Sequence, residues 1–241
     1  MRRIVGSEIL DHLAAASPAA QRSRRDLRRV HHAMRTRSIV ADCWRALGPA
    51  SRVSGPLRIL EIGAGDGTLL LGVARALAPA WPQVDLTLLD RQDIVTPATL
   101  AAYAALGWNV KLEVVDVLDW ATRSRGARTP PAWDLITTTL FLHHFEGAPL
   151  DRLLAAIAAR AERFFACEPR RGWLALAGSH LVGAIGANQI TRVDAVSSVH
   201  AGFRGHEIST LWSGVAGAWH CREHAAGPFS HCFSAWRNQS G

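Results

Sequence analysis

Residues 57–68 read LRILEIGAGDGT, and the parsing of this stretch decides the fold. LRILEIG (57–63) is a short apolar run of the kind that forms a buried strand. Three glycines follow at alternate positions, Gly63, Gly65 and Gly67, with an acid, Glu61, two residues before the first. Alternating glycines let the chain turn tightly and let a ligand approach the backbone with no Cβ in the way. TLLLGVARALA (68–78) then reads as a helix. The first turn of such a helix offers free N–H groups and a positive dipole end to an anion. Strand, glycine turn and helix together suit a nucleotide-type cofactor. A dinucleotide fingerprint requires G-x-G-x-x-G/A; here the third small residue would fall at Thr68, and the actual spacing is G-x-G-x-G.

Downstream, strand and helix patterns alternate. Strands are expected at 84–90, 109–116, 133–139 and 162–168, with helices at 98–107 and 150–161. Near-continuous apolar strands joined by helices predict a parallel sheet covered on both faces. Right-handed crossovers then place the strand carboxyl ends on one edge, where such sheets bind ligands. Residues 171–213 read as helix and loop, and AWHCREH (218–224) and FSHCFSAWR (229–237), joined by AAGP, read as a closing antiparallel hairpin. Upstream, residues 22–48 carry a helical apolar pattern that the Gly48-Pro49 stretch breaks, so residues 1–50 read as a helical arm.

Composition sets outer bounds. The chain has 241 residues, 49% hydrophobic and 20% charged, which is ordinary for a globular protein. No apolar stretch approaches the ~20 residues that span a bilayer. Glu8, Asp11 and His12 interrupt the apolar run a secretory signal would need, and the four cysteines show no C-x-x-C spacing. Reduced thiols in a cytoplasmic protein are the expectation. The net charge of +7 is uneven, because residues 1–40 hold nine arginines against three acids, which is +6. A basic arm could touch phosphates, but a solvated helix face accounts for it equally, and nucleic acid is not the expected partner.

On these residues the chain resembles the class I S-adenosylmethionine-dependent methyltransferases, whose first motif is E/D-x-G-x-G-x-G after the first strand. The resemblance spans residues 57–168 and extends to the final hairpin. It implies a Rossmann-like α/β fold with a seven-stranded, mostly parallel sheet, an antiparallel last strand and helices on both faces. It divides the chain into an arm or lid (1–50) and a methyltransferase domain (51–241) with a substrate-side helical insert (171–213). It also implies S-adenosylmethionine as cofactor. Asp90, 23 residues past Gly67, matches the family's carboxylate on the ribose hydroxyls. Asp116 matches the acid that accepts from the adenine amino group, with Val117 beside the ring. Glu61 falls near the methionine ammonium. Gly63, Ala64, Gly65, Gly67, Arg91 and Thr139 complete the expected cofactor contacts.

Methyl transfer needs an acceptor lone pair at near-attack distance and often a base. The sequence TTTLFLHHFEG (137–147) places His143 and His144 in the loop after strand four. Histidine is suited to take a phenol or alcohol proton. Adjacent side chains are expected to diverge, one toward substrate and one into a supporting role, with His144 slightly favoured as the base. Glu168, at the end of strand five, could orient a histidine. Arg171, His180, Asn188 and Arg192 are expected substrate contacts, and Trp173 and Trp212 could wall an aromatic pocket. No metal is expected. The leading reading is O-methylation of a phenolic or polyketide-like small molecule. The alternatives are a nucleic-acid or protein methyltransferase using the arginine-rich arm, a nicotinamide oxidoreductase, and a non-catalytic binding module. A homodimer is compatible with the sequence, and residues 1–50 stay open between a lid and a dimer surface.

Overall fold

A computed structural model describes residues 1–48, 55–123 and 132–237. The expected break at 49–54, and with it the arm–domain boundary, lies outside the described residues. In chain order the elements are α1 (Ile9–His12), α2 (Pro18–Ala33), α3 (Thr36–Leu47), β1 (Leu57–Ile62), α4 (Thr68–Leu77), β2 (Val84–Asp90), α5 (Pro97–Ala104), β3 (Trp108–Val114), α6 (Val117–Thr122) and β4 (Leu135–Thr139). A 3₁₀ turn (Leu142–His144), α7 (Gly147–Arg160), β5 (Arg163–Pro169), α8 (Trp173–His180), a second 3₁₀ turn (Val182–Ile185), α9 (Gln189–Ala201), α10 (Glu207–Val215), β6 (Trp219–Ala226) and β7 (Ser230–Arg237) follow.

The strands form one seven-stranded sheet in the order β3-β2-β1-β4-β5-β7-β6. The first five strands pair in parallel, and β7 runs antiparallel to both β5 and β6. This is the Rossmann-like α/β sheet expected, and β1, which leads into the glycine turn, lies between β2 and β4. Strand alternation divides the core between the faces. Leu60, Ile62, Phe164 and Phe233 pack with Trp120, Leu154 and Trp212 from α6, α7 and α10. Their neighbours Ile59, Phe165 and Cys232 face Val40, Trp44, Leu70 and Tyr103 from α3, α4 and α5.

Residues 22–48 do not form one helix. Ser17 caps α2 by accepting from the Ala20 N–H, with Pro18 at the first position, so the helix starts four residues before the expected start at 22. The chain then breaks at Arg35, whose φ is 56°. The physical reason is a change of face. Leu27, Val30 and Met34 line a cavity above the sheet, whereas Val40, Ala41 and Trp44 bury against the body of the fold. A single straight helix cannot present both sets to their targets, and one left-handed residue costs less than exposing either.

Trp44 is fully buried and stacks on Trp81, centroids 5.7 Å apart. Trp44→Ala is expected to destabilise the whole chain by about 3–5 kcal/mol, read as a lower midpoint of a single urea transition. An unchanged midpoint would mean that α3 folds apart from the sheet.

Candidate active site

The glycine turn is built by three different constraints. Gly63 sits at φ 74°, and a Cβ there would meet the Phe141 ring at 2.2 Å. At Gly67 a Cβ would come within 3.1 Å of Leu88, inside the sheet–helix contact. Gly65 alone of the three faces open space, with nothing within 4 Å of a built Cβ. It is therefore the position at which a ligand can approach the backbone. Asp90 fixes the turn by accepting the Gly65 N–H (2.8 Å) and the Gln92 N–H (2.9 Å), one on each oxygen. Each carboxylate oxygen retains a lone pair toward the cavity. Asp116 stands exposed at the cavity rim and caps α6 through the Leu118 N–H, with Val117 beside it.

Glu61 is buried at the end of β1, and its Oε2 has no hydrogen-bond partner; Thr139 Oγ1, also buried, lacks one as well. Burial, with Asp90 and Asp66 adding to it, pushes the Glu61 carboxyl well above the ordinary carboxylate range. Both groups line the same cavity. A cationic ligand group near Glu61 would reverse that shift.

Beyond β4 the backbone turns at Leu140, whose φ is 56°, and the His pair follows. Glu168, fully buried, holds this loop. It accepts the Phe141, Leu142 and His143 backbone N–H groups at 3.2, 2.9 and 3.3 Å and bonds His143 Nδ1 at 2.8 Å. On the opposite side of the ring, His143 Nε2 lies 3.4 Å from Glu8. Burial alone would lower the His143 pKa, but hydrogen bonds and charges from Glu168 and Glu8 outweigh it and raise it to about 9. Burial likewise opposes ionisation of Glu8, yet its bond to His143 holds it below its ordinary range. His144 lies 3.4 Å from Asp11, and burial and the His143 cation lower its pKa. The expected divergence of the two side chains does not occur. A 3₁₀ turn sets the rings 4.2 Å apart, and both line the cavity.

The cavity measures about 710 Å³ and runs from the glycine turn to the His pair, roofed by the arm. Its apolar lining includes Leu27, Val30, Met34, Phe145, Leu181 and Ile185. Asp194 docks the arm by accepting the Ile9 and Leu10 N–H groups at 2.8 and 3.0 Å. Arg28 pairs with Asp66 at 2.9 Å, and Arg91 reaches Asp11. Glu8, Asp11 and His31 are site residues that the sequence reading did not single out. The acids had been noted only as interruptions of an apolar leader. Burial and Arg37 push His31 down to about 4, so a neutral imidazole faces the cavity.

The expected substrate contacts fall elsewhere. Arg171 is buried but points away, to Glu207 and the Gly202 carbonyl. Asn188 caps α9 through the Thr191 N–H and bonds Ser23 of α2. His180 and Arg192 line a second, shallower cavity with Ile4 and His200. Trp173 is 77% exposed, and Trp212 stacks on Phe164 in the core. These are polar or aromatic side chains of residues 171–213, but α8 and the 3₁₀ turn after it present small and apolar residues to the cavity, such as Ala175, Gly178 and Val182. Asn188 is taken by α9 and α2, and Arg171 by Glu207 of α10.

No family model and no curated protein sequence matches the chain. Solved structures do match its fold. An O-methyltransferase family protein from Burkholderia thailandensis aligns with a TM-score of 0.61 and 17% identity over 94% of this chain and 62% of its own. This chain therefore spans about 62% of that protein's length. A plantazolicin methyltransferase, crystallised with a desmethylPZN analog and SAH, aligns with a TM-score of 0.59 and 14% identity, covering 92% of this chain and 91% of its own. The magnesium protoporphyrin IX methyltransferase of Synechocystis PCC 6803, with bound SAH, gives 0.52 and 13% over 95% and 91%. The sheet order, the glycine turn after β1 and these alignments together show that the chain has the Rossmann-like α/β fold of these methyltransferases.

Proposed function

We propose that the protein transfers a methyl group from S-adenosylmethionine to an oxygen of an apolar small molecule, phenolic or polyketide-like. The observation that carries this reading is one continuous cavity joining an open glycine turn to a carboxylate-oriented histidine. The cofactor's chemistry is a sulfonium methyl open to in-line displacement. The residues present fit it. Gly65 leaves room for the chain of the ligand, Asp90 offers acceptors to a diol, and Asp116 and Val117 sit where an adenine edge and face would lie. Glu61, carrying an unpartnered buried oxygen, suits an ammonium. Calorimetry is expected to show binding of S-adenosylmethionine and none of NADH, with Asp90→Ala weakening the former by about 10-fold or more, the loss of charged hydrogen bonds. Because burial raises the Glu61 carboxyl in the free protein and an ammonium would lower it, binding is expected to release protons, visible as a buffer-dependent heat. A buffer-independent heat would remove the ammonium from Glu61.

For the acceptor we assign His143 as base, with Glu168 as the residue that orients it. His143 Nε2 would take the acceptor O–H proton as the acceptor oxygen is methylated, the cofactor, when bound, supplying the methyl group from its sulfonium. Glu8 covers Nε2 in the closed arm, so acceptor binding displaces it, and residues 1–50 act as a lid on the 51–241 domain. The arm's arginines support this over nucleic-acid binding. Arg3 bonds the Ala201 carbonyl, Arg24 bonds Gln92, and Arg28 and Arg29 pair with Asp66 and Asp26. A second reading is favoured by one observation, the lowered pKa of His144, which leaves it neutral and able to accept a proton.

The two readings differ in pH dependence. His143 binds its proton tightly below a pKa of about 9, so its neutral, basic form grows as pH rises through that value. In a tritiated-methyl assay on a phenolic panel, kcat/KM is expected to climb to a plateau near pH 9, and Glu8→Gln to move the break downward. A break below His144's ordinary value of 6.5 would transfer the role to His144. His143→Ala is expected to cost about 10²–10⁴ in kcat at unchanged cofactor affinity; equal rates would sink the base.

A further inference from the structure

Away from this cavity, three cysteines and a histidine converge on the face of the sheet that carries α3. Cys167, Cys232 and His224 are direct cross-strand neighbours on β5, β7 and β6, Cys167 opposite Cys232 and His224 opposite Cys232. Cys43 descends onto them from α3, and Cys43, Cys167 and Cys232 share one core cluster. The ligand atoms of Cys43, Cys232 and His224 lie within 4.8 Å of one another. Tetrahedral zinc, with Zn–S about 2.3 Å and Zn–N about 2.0–2.1 Å, sets such donors roughly 3.4–3.8 Å apart. Side-chain rotation closes that difference without moving backbone.

Packing alone does not explain the cluster. His224 Nδ1 is buried and has no hydrogen-bond partner, a cost that a purely apolar contact would leave standing. Neutral imidazole and thiolate are the forms that ligate. Soft sulfur with imidazole selects zinc over the oxygen-seeking cations.

We propose that Cys43, Cys232 and His224 bind a zinc ion that fastens α3 to the terminal hairpin. Two thiolates and a neutral imidazole balance the charge of Zn²⁺. The two thiol protons leave as two Zn–S bonds form, and no oxidant is required. Cys167, opposite Cys232 across the strands, remains a thiol beside the site. The fourth position opens toward the half-buried side of Cys43 and His224, where water completes the tetrahedron.

The test uses the full chain, reduced and stripped with a chelator, then titrated with ZnCl₂ or CoCl₂. One zinc per chain is expected, with a Kd of about 10⁻⁸ M or tighter, two protons released, and protection of Cys43 from alkylation. Cobalt is expected to give thiolate-to-metal charge transfer in the near ultraviolet. Cys43→Ser and His224→Ala, both half-buried positions, should keep native circular dichroism and weaken zinc about 100-fold or more. His143→Ala should leave the cobalt band intact, since the Glu8, His143 and His144 donors contain no sulfur. Absent charge transfer, unchanged zinc affinity in Cys43→Ser, or a Cys43–Cys232 disulfide that excludes metal in fresh protein would each overturn the proposal.

Discussion

The candidate site depends on one buried carboxylate. Glu168 ends β5 with no solvent contact and accepts three consecutive backbone N–H groups from the loop after β4, besides the His143 ring. A buried acid with four donors converts the cost of its desolvation into a fixed loop geometry. That loop carries Phe141, whose ring occupies the space a Gly63 Cβ would need. The ends of β1, β4 and β5 are thus locked to one another by a single side chain and a single missing methyl. Losing the carboxylate would free the loop and leave three N–H groups to find other partners.

The arm completes the site through charge, and the unevenness of that charge now has a destination. Arg24 and Arg28 cross from α2 to Gln92 and Asp66, and Arg3 reaches from the N-terminus to the Phe145 carbonyl at 2.8 Å. The partners are acids and carbonyls at the carboxyl edge of the sheet, which the strand ends and glycine turn make negative. Part of the +6 surplus in residues 1–40 is thus engaged inside the molecule, at Arg3, Arg24 and Arg28.

The sheet was legible because its strands are apolar and short, with helices between them, and these local patterns survive without tertiary information. The glycine-turn end of the cavity was legible for the same reason: Glu61, the glycines, Asp90 and Asp116 sit in contiguous motifs at strand ends. The histidine end was not. Glu8 reaches His143 from 135 positions away in sequence, and no local pattern encodes such a meeting. Polarity misled in residues 171–213, where Asn188 is a cap and Arg171 half of an ion pair with Glu207. Helix capping and burial of charge use the same residue types as substrate binding. The helix across 22–48 failed for a subtler reason, since its two apolar sets have helical spacing individually and differ only in the direction of their targets.

That break at Arg35 determines what in the arm can move. α3 is anchored by Trp44 in the core, whereas α2 meets the body through buried Ala20, the Ser23 and Asp26 bonds to Asn188, and the half-exposed ion pair Arg28–Asp66, with 42% and 23% side-chain exposure. Such pairs contribute about 0–1 kcal/mol each and weaken with salt. The Glu8–His143 contact is different in kind, because both groups are largely buried and each shifts the other's proton affinity. Glu168 raises His143 whether or not the arm is closed, so only the part of the shift that Glu8 supplies favours closure, and that part is lost as pH rises through about 9. Glu8 contributes while ionised and loses its contribution as pH falls through its lowered pKa. Closure of the proposed lid therefore loosens in base, the same direction in which His143 becomes free to take a proton. A lid that releases its latch as the base is unmasked couples entry of the acceptor to readiness for transfer.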